Sequence, residues 1–121
     1  MIVIASDKQT LGPCLTALAD PTRRQIVEML GHGPRSAGEI HAAFAIANPA
    51  VSRHLRVLRE AGLVSERRAP DDRRVHVYTL EPAPLEGLTE WLAELSGAWQ
   101  SQLDSFKDFV ALRNARPGGK P

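Results

Sequence analysis

The stretch "NPAVSRHLRVLREAGLV", residues 48–64, carries the residues best suited to chemistry. At about 100° per residue, Val51, Leu55, Leu58 and Gly62 share one face of a helix, with His54 at its edge. Arg53, Arg56 and Glu60 point the other way, and Pro49, Ala50 and Ser52 lie exposed at the start. Arginine offers a planar fork of donors that matches the two acceptors on a guanine edge. Serine is short enough to reach a base or a phosphate, and alanine can touch a thymine methyl. The N-terminus of a helix itself favours a phosphate. A single helix of this kind fits the major groove of DNA, ~12 Å wide. Downstream, Arg67, Arg68, Arg73 and Arg74 surround a Pro70-Asp71-Asp72 turn. Arginines at such a tip can enter a narrow minor groove or clamp phosphates. The candidate DNA contacts are Ser36, Pro49, Ala50, Ser52, Arg53, His54, Arg56, Arg68, Arg73 and Arg74.

Each of these has a plainer reading. An arginine-rich helix face on its own is an ordinary solvated surface. His54 at the edge of the inward face reads first as a histidine packed between helices, and second as a phosphate contact. Arg59, on the flank, reads as a surface charge or a phosphate contact. Arg23 and Arg24 read first as surface residues of an earlier helix, and second as phosphate contacts. What favours DNA is the order of the elements around residues 48–64.

Leu11, Cys14, Leu15 and Leu18 recur at helical spacing and predict a first helix at about 10–19, after a loose arm over residues 1–9. Asp20 can cap a second helix that Pro21 opens and that ends near Gly31. Ser36-Ala-Gly-Glu39 is a capping-box pattern and starts a short third helix at about 37–44. Asn48 is expected to cap the fourth helix, with Pro49 in its first position. Gly62 supplies the left-handed residue that ends it near Ala61, and Leu63 can fold back on the last turn. "LVSERRA" and "RVHVYTL" alternate with period two around "PDD", which predicts a β-hairpin over about 63–80. Pro82 and Pro84 break the chain before a last helix at about 84–112. The expected fold is mainly α with a small β-hairpin, a winged helix-turn-helix with a long C-terminal helix, followed by a disordered tail at 113–121.

The last helix carries an apolar ladder at heptad spacing: Leu85, Leu88, Leu92, Leu95, Trp99, Phe106 and Phe109, interrupted at Gln102. It is too long and too apolar for a small body to cover. A dimer interface is therefore expected along Leu92, Leu95, Trp99, Phe106 and Phe109. Leu85 and Leu88 can still serve the core of one chain. Trp91 and Trp99 read as packing aromatics; the alternative is the lining of an effector pocket.

The totals agree with a single domain. The chain has 121 residues, and 43% are hydrophobic, enough for a core. A net charge of +1 says nothing by itself, but its distribution does. Residues 53–74 hold seven arginines against four acids, a net +3, while residues 81–108 hold six acids against Lys107, a net −5. One surface can thus attract a polyanion while the other repels it. No apolar run approaches the ~20 residues of a membrane span. Cys14 is the one cysteine, so no intrachain disulfide can form, and a cytoplasmic protein is expected.

"ALADPTRRQIVEML", "SAGEI", "VSRHLRVLREAGLV" and "RRVHVYTL", in this order and spacing, resemble the arsenic-repressor (ArsR/SmtB) family of bacterial transcriptional regulators over roughly residues 11–112. The resemblance implies a homodimer built on the first helix, through Leu11, Cys14, Leu15 and Leu18, and on the last helix, an operator with two inverted half-sites, and repression that an effector can relieve. It also raises metal sensing. A thiolate site of the family's kind would place Cys-x-Cys in the third helix, but Glu39-Ile40-His41-Ala42-Ala43 has neither thiol. The last helix, 84–112, has no histidine, and His32, His41 and His76 are scattered. Zinc asks for about four ligands. No metal and no cofactor are expected.

Cys14 reads as a small apolar residue, or else as a thiol that pairs with its mate across a dimer axis. No phosphate loop and no serine, histidine and acid set suggests an enzyme. The partners expected are a double-stranded DNA operator and a second copy of the chain, with no membrane; the effector is left open. Two alternatives stand beside this reading: a repressor responsive to redox state or a small molecule, and a winged-helix protein-interaction module that does not bind DNA.

Overall fold

The computed structural model describes residues 2–114, with side chains from Thr10 onward. Its elements run α1 (Ile2–Ala17), α2 (Pro21–Gly31), β1 (Arg35–Ser36), α3 (Ala37–Ala42), α4 (Asn48–Glu60), β2 (Val64–Arg68), β3 (His76–Leu80) and α5 (Pro82–Asn114). Two compact units meet between Leu88 and Thr89. The first holds α1 to β3 and the start of α5. The second holds the rest of α5.

Local punctuation sets most boundaries of the first unit. The Asp20 carboxylate accepts from the Arg23 backbone N–H at 3.1 Å, and Pro21 opens α2. At α3 the capping box closes both ways: Ser36 Oγ accepts from the Glu39 N–H at 3.1 Å, and the Ser36 N–H donates to Glu39 Oε1 at 2.8 Å. α4 ends at Gly62, whose φ of +79° is left-handed. The Gly62 N–H returns to the Arg59 carbonyl and the Leu63 N–H to the Leu58 carbonyl, each at 3.0 Å. This paired closure satisfies carbonyls that a helix end otherwise leaves open.

Several expectations need correction. The residue 1–9 arm is helical from Ile2, because nothing before Gly12 and Pro13 breaks a helix. α1 also stops at Ala17, two residues early. Asn48 does not cap α4: Ala47 holds that position without a side-chain bond, and Asn48 is the first helical residue. The Asn48 side chain is engaged elsewhere, since Nδ1 of His41 lies 3.2 Å from its Oδ1. Finally, the hairpin gains a third strand. The order is β1-β3-β2, all antiparallel, with Arg35 opposite Tyr78 and Ser36 opposite Val77. At the other end of the chain α5 runs from Pro82 to Asn114, so the tail expected to be disordered over 113–121 is helical at Arg113 and Asn114, and its remainder lies outside the described residues.

The core of the first unit joins Cys14 and Ala17 of α1, Ile26 and Leu30 of α2, and Ile40 of α3 to Val51, Leu55 and Leu58 of α4. Leu63, Val64 and Tyr78 close it from the sheet side, and Leu85 and Leu88 pack at its margin. All three inward positions of α4 are buried, so its opposite face is held outward. In the second unit, no residue of α5 is buried, and Leu92, Leu95, Trp99, Phe106 and Phe109 are all exposed.

Candidate nucleic-acid interface

α4 presents Pro49, Ser52, Arg53 and Arg56 to solvent, with Ala50 half-buried among them. Pro49, Ser52, Arg53, Arg56 and Arg59 line a groove whose far wall is Glu66 and Tyr78 of the hairpin. The structure thus brings the α4 candidates together on one face beside the wing. Arg53 and Arg56 make no hydrogen bond or ion pair among the described residues, and their forks are open to a ligand. Ser36 stands apart at the start of α3, where its oxygen is used in the cap and its O–H can still donate.

The wing arginines divide into engaged and open. Arg74 forms a two-pronged pair with Asp72 and also donates its backbone N–H to Asp72 Oδ1 at 3.1 Å. These bonds hold the Asp72 carboxyl below the usual carboxylate range. Arg68 Nη1 donates to the Arg73 carbonyl at 2.9 Å, bracing the tip. Arg73 and Arg67 are exposed and have no such bond among the described residues.

His54 is half-buried between helices. Arg23 Nη1 lies 3.3 Å from His54 Nδ1, and because arginine only donates, that nitrogen accepts. Nε2 then carries the proton and faces Asp20 Oδ2 at 3.8 Å. Arg23 also donates to the Ala17 carbonyl at 2.6 Å and to the Thr16 carbonyl at 3.3 Å, and Arg24 to the Leu18 carbonyl at 2.7 Å. The two arginines read as plain surface residues thus close the C-terminal end of α1.

Sequence reasoning missed the centre of the groove. Glu66 Oε1 accepts from Arg59 Nη1 at 3.0 Å, and Oε2 accepts from His76 Nδ1 and from the Tyr78 hydroxyl at 2.9 Å each. Burial pushes the Glu66 carboxyl up, but the bonds from Tyr78 and His76 and the charges of His76 and Arg59 outweigh it and leave it below the usual range. Burial first, and then the bond to Glu66, push the Tyr78 phenol up to about 12. The signal was present in the period-two run Val64-x-Glu66-x-Arg68, which puts Glu66 on the face of buried Val64.

Among the residues expected at a dimer interface, Leu11 and Cys14 are buried within the single chain, so they fill its core instead of offering surface. Burial also pushes the Cys14 thiol up, away from a reactive thiolate. Leu18 is half-buried against the same core. Leu15 is 42% exposed and Trp99 61%. No three His, Cys, Asp or Glu side chains converge among the described residues. None of the described helices is long and apolar enough to cross a membrane.

A sequence profile of a helix-turn-helix domain matches residues 18–67, the span from the end of α1 into β2. The chain is 42% identical over 94 residues to the HTH-type transcriptional regulator Rv2034 of Mycobacterium tuberculosis, covering 78% of this chain and 82% of that protein. It is 34% identical over 76 residues to the transcriptional repressor SdpR of Bacillus subtilis, covering 63% and 81%. Among solved structures, the ArsR family transcriptional regulator RHA00566 superposes with a TM-score of 0.69 at 31% identity, over 78% of this chain and 94% of that one. With the same order of helices and wing and an arginine face on α4, the chain belongs to the ArsR family of winged helix-turn-helix regulators, DNA-binding transcription factors and not a class of enzyme.

Proposed function

We propose that the protein is a homodimeric repressor that binds an inverted-repeat operator, with α4 in the major groove and the wing on the flanking backbone. The observation that carries this is the pair Arg53 and Arg56: exposed, without partners among the described residues, on a helix whose inward Val51, Leu55 and Leu58 are buried. Arg73 at the wing tip supplies a sequence-independent phosphate contact. The exposed ladder from Leu92 to Phe109 offers an apolar surface that a second copy can cover. In such a dimer, reading helices one DNA turn apart lie about 34–36 Å from each other. Relatives named as repressors, SdpR among them, support the sign of regulation. In this reading it acts in the cytoplasm and does not respond to metal, since Glu39-Ile40-His41-Ala42-Ala43 holds no thiol and residues 84–112 no histidine.

The experiment is selection from a random duplex pool at near-physiological salt, with and without reductant. An inverted repeat recovered in both conditions is the expected result. A repeat recovered only under reductant makes Cys14 a switch. Recovery of nothing above background sinks the repressor reading.

A further inference from the structure

One side chain in the groove is out of keeping with a surface that attracts anions. Glu66 faces the same space as Arg53 and Arg56, and its side chain keeps 24% exposure. A carboxylate there repels phosphate and weakens binding to any duplex. Its contacts give the compensation. Through Oε1 it holds Arg59, one turn beyond Arg56 on α4. Through Oε2 it holds Tyr78 and His76, both on β3. Glu66 itself is on β2, paired across the hairpin with Tyr78. One carboxylate therefore ties the reading helix to both strands of the wing. It also occupies an arginine that would otherwise be open to phosphate.

We propose, on the basis of the DNA-binding reading above, that Glu66 is a positioning residue that sets specificity: it restrains Arg59 and fixes the wing against α4, lowering affinity for all DNA while widening the gap between operator and other sequences. Specificity is a difference of affinities, and a repulsive element that the right sequence overcomes enlarges it.

The test uses the full chain with two probes: the duplex that wild type selects from the random pool, and a scrambled duplex of the same length. Affinities are read across a salt series, with melting curves alongside. Glu66→Gln removes the charge at nearly constant shape. Binding to the scrambled duplex should tighten, its salt slope should steepen by about one as Arg59 engages phosphate, and the selected-to-scrambled ratio should fall about threefold or more. Arg59→Gln, a surface change, cuts the tie from the helix side; the ratio should fall again, but with no gain on the scrambled duplex. A ratio kept in both variants, or an equal loss on both duplexes, overturns the proposal. No preference in wild type would remove the DNA-binding reading itself, whereas a wild-type preference kept by both variants removes this inference alone.

Discussion

Arg74 grips Asp72 through two parallel hydrogen bonds, Nε to Oδ1 and Nη2 to Oδ2, each 3.1 Å. The guanidinium of its neighbour Arg73 has no bonded partner among the described residues, where only the Arg73 carbonyl is engaged. Two adjacent arginines of the same tip therefore differ in what they can offer DNA. Arg73→Ala should lower affinity on every sequence and flatten the salt dependence by about one. Arg74→Ala should flatten it less, because its charge is already answered by Asp72. Binding isotherms over a salt series separate the two, and equal slopes for both variants would contradict the division.

Arg53 and Arg56 should behave differently from the wing. Replacing either with Ala should weaken the selected operator by about 1–3 kcal/mol and random DNA by less, if the fork reads a base edge. An equal loss on both duplexes would move that residue to the phosphate class.

The exposed ladder of α5 makes a prediction about assembly. Trp99→Glu or Phe106→Glu puts a charge into an apolar surface that a second copy should cover. Sedimentation should show a dimer for wild type and a shift toward monomer for either variant, with operator affinity falling in step. A wild-type chain that sediments as a monomer at micromolar concentration contradicts this.

Gly62 gives a stability prediction. A Cβ there would meet only Pro84 Cγ at 3.9 Å, so space is not the obstacle. The positive φ is, and Gly62→Ala should destabilise by about 1–2 kcal/mol in a urea titration. Gly62→Asn should cost less, since Asn tolerates that conformation better.

Tyr78 is the one tyrosine in the chain, so tyrosinate absorbance reads it alone. In the unfolded chain its phenol loses its proton near about 10. In the fold, burial and Glu66 hold that proton to about 12. Between these values the folded chain binds more protons than the unfolded one, so stability falls as pH rises through the window and is fully present below it. Tyr78→Phe should remove this alkaline loss.

How much of this was legible depends on distance along the chain. Asp20-Pro21, Ser36 with Glu39, and Gly62 act within four residues of themselves, and the sequence places them well. Asn48 misleads because its carboxamide is engaged by His41, seven residues away on another helix. Strand β1 has two residues and exists only because β3 pairs with it. Glu66 has the same character: alternation shows its face, but only the hairpin register brings Tyr78 opposite and His76 within reach. The arginines of α4 were visible as a face. Which arginines are open and which are engaged depends on Asp72, Glu66 and Arg73's carbonyl, partners that spacing does not announce.

Only Ala61, Gly62 and Leu63 separate α4 from β2, and the Leu63 side chain is buried in the core. Such a joint has no slack, so α4 and the wing travel as one stiff part. A duplex whose major groove is too wide, or whose flanking minor groove is set at the wrong angle, cannot be met by swinging one against the other. The DNA must yield instead, and how easily it yields depends on its sequence. The chain should therefore discriminate at base pairs that no side chain touches, by the bendability of the step between helix and wing.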